Sequence, residues 1–296
     1  MRPSHIFIKI KIFLANCKKM CYNRFIIFYI YYKKDVEAMK IVIKVGTSTL
    51  TYSGGRVNIR RFSALCRAVS DVINAGNEVI LVSSGAIGMG VGKLHLNERP
   101  KDIAGKQAAA AVGQCELMYM YDKEFAEHNH TVAQILLTAP DLKCEDRHKK
   151  FENTLTRLLE LGVLPIINEN DTVATEEIVF GDNDTLAAEV AVSAGADLLI
   201  LLSDIDGLYT GNPKTDKTAT MISEVRELTD EIMALGGSAG SELGTGGMQT
   251  KLKAAKIVIC TGCDMIIANG ENPDILYDIL DGKSVGTRFY SKKVGK

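Results

Sequence analysis

Six short apolar runs, at 40–45, 78–83, 131–137, 163–168, 197–203 and 264–268, are separated by stretches at 59–75, 105–128, 149–161, 185–194 and 248–260 whose apolar residues recur at helical spacing. Runs that are apolar throughout, rather than alternating, read as strands covered on both faces, and strands that alternate with helices read as a parallel sheet. The expected fold is therefore α/β, a three-layer sandwich with a mainly parallel central sheet covered by helices on both faces. Ligands of such sheets bind beyond the carboxyl ends of the strands. This sequence concentrates its glycines and short polar residues there.

The pattern begins only at Met39. Residues 1–38 carry eight Lys or Arg against two acids, whereas the remainder carries 27 basic against 34 acidic residues. The longest uncharged apolar run of this segment, 25–32, falls far short of the roughly 20 residues needed to span a bilayer, and no small-residue cleavage site follows it. We expect 1–38 to be a basic, apolar N-terminal extension outside the fold, and 39–296 to be one domain with no membrane partner. A net charge of -1 over 296 residues gives no reason to invoke nucleic acid. Seven scattered cysteines, an odd number, favour reduced thiols and a cytoplasmic setting. Cys260 and Cys263 have redox spacing but no second ligand pair, so no protein metal site is expected. Walker A, GxGxxG and HExxH patterns are all absent.

Five polar segments stand at predicted strand ends. Lys44-Val-Gly-Thr-Ser48 sets a lysine before a glycine turn whose N–H groups are free to face an anion. Ser83-Ser-Gly-Ala-Ile-Gly-Met-Gly-Val-Gly92 places four glycines within eight residues beside the Ser84 hydroxyl, either as an ordinary loop or as backbone that a ligand can approach closely. Asn168-Glu-Asn-Asp-Thr172 and Gly181-Asp-Asn-Asp-Thr185 bring together more carboxylates and amides than the capping of one helix requires. Leu202-Ser-Asp-Ile-Asp-Gly207 runs from a strand into a turn. Gly244-Thr-Gly-Gly-Met-Gln-Thr-Lys251 is a glycine turn opening a helix, a ready anion site with a lysine about one turn inside. Two lysines on glycine turns and a carboxylate cluster together describe a polyanion site with a polar second substrate.

These segments, in the order IKVGTSTL, VSSGAIGMG, INENDTVAT, GDND, LLSDIDGLYT, GTGGMQTK and SVGTRF, resemble the amino acid kinase family from about Lys40 to Tyr290. INEND with VAT, GDND and SGAI resemble its glutamate-phosphorylating members in particular. The resemblance implies the amino acid kinase fold and transfer of a phosphoryl group from ATP, with Mg²⁺, to the γ-carboxylate of L-glutamate, the opening step of proline biosynthesis. It implies catalytic roles for Lys44, Lys251 and Asp184, with both lysines on the phosphates and Asp184 organising them. Ser84, Asp171 and Asn183 fall at the glutamate ligands. Ser203, Asp204 and the turn Thr245, Gly246, Gly247, Met248, Gln249, Thr250 and Lys251 fall at the nucleotide.

The resemblance further implies feedback inhibition by proline, a homo-oligomer, and the next enzyme of the pathway as a possible partner. Asn212 stands where many relatives carry Asp. Many members also have a C-terminal PUA domain, whereas this chain ends at Lys296, soon after SVGTRF. Two rivals keep the fold: an acceptor such as acetylglutamate or aspartate, and a catalytically silent nucleotide sensor.

Overall fold

Every residue of β1 (Lys40–Val45) after the first is buried, as a strand must be when helices cover both of its faces. The structure is a computed structural model and describes residues 38–52, 55–173, 183–213, 215–237 and 247–292. The expectations for 1–37, Thr245 and Gly246 lie outside the described residues. Strands β2 (Glu78–Val82), β3 (Val132–Leu137), β4 (Leu164–Glu169) and β5 (Leu198–Ser203) follow in turn. After a small antiparallel ribbon of β6 (Leu208–Tyr209) and β7 (Met221–Ile222) come β8 (Glu224–Val225), β9 (Asp264–Asn269) and β10 (Thr287–Phe289).

The main sheet has eight strands in the order β3-β4-β2-β1-β5-β9-β10-β8, parallel throughout except where β10 runs antiparallel to β9. Residues 39–296 form one compact unit. β10 is held to the end of β9 by Asp264, which accepts from Arg288 Nη2 at 2.8 Å and from the Ser291 backbone N–H at 2.9 Å.

Side chains alternate across a strand, so the register sorts the core into two layers. Val42, Ile80, Val82, Leu199 and Leu201 pack on one face with α6 (Glu145–Glu160), α7 (Asn183–Ala194) and α9 (Met248–Val258). Ile41, Ile43, Leu81 and Ile200 pack on the other with α2 (Ile59–Asn74), α4 (Ile103–Ala126) and α10 (Ile275–Leu280). This is the three-layer α/β sandwich expected from the pattern. Lys44 pairs in register with Val82 and Leu201 at the carboxyl end of β1. It shares a strand face with Val42, so its side chain enters the layer of α7 and α9.

Helix starts follow local chemistry. Asn58 caps α2 by accepting from the Arg61 N–H, and Asp102 caps α4 by accepting from the Gly105 N–H. The remaining helices are short: α1 (Thr47–Leu50), α5 (Ala139–Lys143) and α8 (Asp230–Ala234). α6 begins four residues before the expected 149, because Glu145 and Asp146 sit favourably in its first turn against the helix dipole.

The glycine-rich stretch after β2 is not a loop. Gly85 turns the chain at φ 97° and α3 (Ala86–Lys93) follows. A methyl group on Gly90 would overlap the Ala109 carbonyl, and one on Gly113 would overlap the Ala86 carbonyl. The glycines therefore let α3 and α4 touch backbone to backbone. Among the described residues no helix is long and apolar enough to cross a membrane.

Candidate active site

Lys44 leaves β1 at the sheet's carboxyl end, and Lys251 lies in the first turn of α9, some two hundred residues later. Both reach one carboxylate. Lys44 Nζ stands 2.6 Å from Asp184 Oδ1, and Lys251 Nζ stands 3.0 Å from Asp184 Oδ2. Thr250 Oγ1 lies 3.1 Å from the same Oδ2, and 2.7 Å from the Gly247 carbonyl at the mouth of α9. Asp184 is wholly buried, with Lys251 at 3 % and Lys44 at 6 % exposure.

Burying charge is costly unless it is neutralised. The described residues thus set two ammonium groups, one from β1 and one from α9, against the two oxygens of a single buried carboxylate.

A polar network adjoins it through the neighbouring residue. Asn183 Nδ2 lies 2.6 Å from the Ser83 carbonyl, 2.8 Å from Ser84 Oγ and 3.0 Å from Asn168 Oδ1. Asn168, at the end of β4, donates from Nδ2 to Gln114 Oε1 at 2.8 Å and accepts from the Glu169 N–H at 2.9 Å. Ser83 Oγ lies 3.0 Å from the hydroxyl of buried Tyr121. A small cavity opens beside these groups, lined by Ala86, Gln114, Glu169, Asn170 and Asp171 among others. Burial pushes the Asp171 carboxyl above its ordinary value, and the positive charge of Arg99 opposes that in part.

The residues singled out in the sequence thus fall into three groups. Lys44, Lys251 and Asp184 meet directly. Ser84 and Asn183 meet through a hydrogen bond, with Asp171 on the wall of the adjoining cavity. Ser203 and Asp204, at the end of β5, are joined to each other through Ser203 Oγ and Asp204 Oδ1 at 3.1 Å. They are brought toward Lys44 by the Gly46 N–H, which donates to the Leu202 carbonyl at 3.3 Å. Gly247 to Thr250 form the N-terminal turn of α9. The Asn212 carbonyl accepts from the Thr215 and Asp216 N–H groups, closing the turn in which that residue stands.

Sequence reasoning missed Gln114 and Tyr121. Both lie on the face of α4 that buries Ala110 and Leu117. A glutamine at a core-facing position of an Ala-rich helix was the available signal.

Residues 39–269 match the sequence model of the Amino acid kinase family. The chain belongs to the amino acid kinase family. Within that family it is 54% identical over 261 residues to the glutamate 5-kinase of Clostridium perfringens (strain 13 / Type A), covering 87% of this chain and 97% of that protein. It is 52% identical to the glutamate 5-kinase of Listeria innocua, covering 87% of this chain and 95% of that protein. Among solved structures, the UMP kinase of Bacillus anthracis shares its fold with a TM-score of 0.61 at 17% identity, over 86% of this chain and 98% of that one. The carbamate kinase of Giardia lamblia bound to AMP-PNP does so with a TM-score of 0.61 at 18% identity, over 86% and 99%.

Proposed function

We propose that this amino acid kinase transfers the γ-phosphoryl group of ATP to the γ-carboxylate of L-glutamate, forming L-glutamyl 5-phosphate at the start of proline biosynthesis. The observation that carries the chemistry is the buried Lys44–Asp184–Lys251 cluster, which brings two ammonium groups from distant parts of the chain to one point. Glutamate as acceptor is supported by more than 50% identity to glutamate 5-kinases over nearly their whole length.

The acceptor γ-carboxylate has an unperturbed pKa of about 4.3 and is already ionised at neutral pH, so no general base is needed. The obstacle is bringing an anion up to a polyanion. In this reading Lys44 and Lys251 neutralise charge on the phosphoryl group in flight, and the N–H groups of the α9 turn, with Ser203 and Asp204, hold the nucleotide. Asp184 acts by fixing both ammonium groups, since a carboxylate turned toward the γ-phosphate would repel it. Ser84, Asn183 and Asp171 hold glutamate, with Asp171 on its ammonium group.

Mg²⁺ belongs to the nucleotide. Among the described residues no cluster of three or more His, Cys, Asp or Glu side chains could hold a metal. A cation of this kind is held chiefly by phosphate oxygens and water. When bound, it supplies further positive charge to the triphosphate. Control by proline, a homo-oligomer and hand-over of a labile acyl phosphate to the next enzyme belong to the same reading.

The direct test is to incubate the protein with Mg-ATP, hydroxylamine and each candidate acid, trapping any acyl phosphate as its hydroxamate. Hydroxamate with glutamate and not with aspartate or acetylglutamate is expected. Signal only with one of the other acids would replace the acceptor, and no signal with any acid would favour a silent sensor.

Asp171 adds a pH dependence. Because burial raises its carboxyl, it takes up a proton at higher pH than an exposed aspartate does. Its neutral form no longer attracts an ammonium group. The KM for glutamate should therefore rise as pH is lowered from neutral toward the ordinary range of an exposed aspartate, and begin to rise before that range is reached. Asp171→Asn should have a raised but flatter KM profile. A wild-type KM that stays constant as pH is lowered, or a variant profile of the same shape, would remove Asp171 from the ammonium.

A further inference from the structure

Two backbone groups, whose donor and acceptor roles are unambiguous, fix the orientation of every amide in the Asn183 network. The Glu169 N–H donates to Asn168, so Asn168 turns its oxygen that way and its NH₂ toward Gln114. The Ser83 carbonyl accepts from Asn183, so the Asn183 NH₂ faces inward, where Asn168 Oδ1 is a further acceptor. The chain of amides therefore ends on Gln114, whose oxygen accepts the one hydrogen bond that the Asn168 NH₂ donates among the described residues. Asn168 is 2 % exposed and Gln114 9 %.

Without the Gln114 oxygen, Asn168 would bury an unpaired N–H. A half-turn of its amide would relieve that only by setting its NH₂ against the Glu169 N–H and the Asn183 NH₂. Such a donor-on-donor contact costs more than the bond it replaces.

We propose that Gln114, on α4, is a positioning residue of the acceptor site: its side-chain oxygen locks Asn168, and through it Asn183, in a single amide orientation. The inference rests on the reading of Asn183 as an acceptor-binding group. Gln114 also lines the cavity beside Asp171, and its Nε2 has no hydrogen-bond partner among the described residues. A direct contact with the substrate is therefore the competing account.

Two variants separate them. Gln114→Met removes the acceptor at nearly constant size. It should raise the KM for glutamate on the order of tenfold, with the KM for ATP and kcat changed by less than about twofold. Gln114→Glu keeps an oxygen that accepts from Asn168 but loses the Nε2 donor. Its KM for glutamate should stay within about threefold of wild type.

An unchanged KM in the Met variant would overturn the proposal. So would a Glu variant as impaired as the Met variant, because the accepting oxygen would then be present without preserving the site. Should the Met variant fail to fold, the Glu variant alone carries the test, a large rise in its KM being the overturning result. Wild-type protein that gives no glutamate-dependent hydroxamate would instead defeat the functional reading. Active wild type with Gln114 variants of normal KM defeats only this inference.

Discussion

Lys251→Ala and Lys44→Ala are each expected to slow phosphoryl transfer by at least about 10²–10³ while leaving a folded protein. The transferring group carries negative charge that must be met at the moment of transfer, and a preorganised ammonium in a buried site does this without reorganising solvent. Folding should survive because Asp184 pairs with both lysines on opposite oxygens. Removing either one leaves the carboxylate paired with the other. Single-turnover rates beside a thermal melt check both halves of the statement. Near-normal turnover in either variant would show that the lysine concerned does not touch the transferring group.

Asp184→Asn should behave differently, losing stability as well as rate. The amide keeps the shape of the carboxylate but removes the charge that both buried ammonium groups share. Breaking a buried ion pair by removing one partner typically costs about 3–5 kcal/mol. Denaturant unfolding at neutral pH should show a loss of that order, and turnover should fall because neither lysine is held. Full activity in Asp184→Asn would contradict the positioning role. Unchanged stability would mean that the lysines find other partners or do not carry their charge in the folded protein.

Much of this arrangement was legible in the chain. β1 and β5 were readable because a strand covered on both faces is apolar along its length, as Ile41–Ile43 and Leu198–Leu202 are. Lys44 alone reads as a solvated lysine beside an ordinary turn, and it drew attention only because a second lysine, Lys251, follows a glycine turn elsewhere in the chain. The meeting of Lys44 with Lys251 on Asp184 was not readable from spacing. It depends on the β1–β5 and β1–β2 registers and on the crossing of α9 over α7, and only the resemblance to a family supplied it.

The 83–92 segment misled for a physical reason. Glycine density signals backbone freedom, but here Gly90 and Gly113 serve close contact between two helices, which a local pattern cannot distinguish from a loop. Gln114 left only a faint signal, for the opposite reason. One polar residue on an Ala-rich helix face acquires meaning only when Asn168, from a strand 54 residues later, arrives opposite it.

The measurement closest to the centre of the account is a crystal structure of the protein with Mg²⁺, a non-hydrolysable ATP analogue and glutamate. The account predicts both ammonium groups, from β1 and from α9, within hydrogen-bonding distance of the terminal phosphate, with the glutamate γ-carboxylate in line behind it. A terminal phosphate held by one lysine while the other remains turned away, or a nucleotide seated at another edge of the sheet, would contradict it.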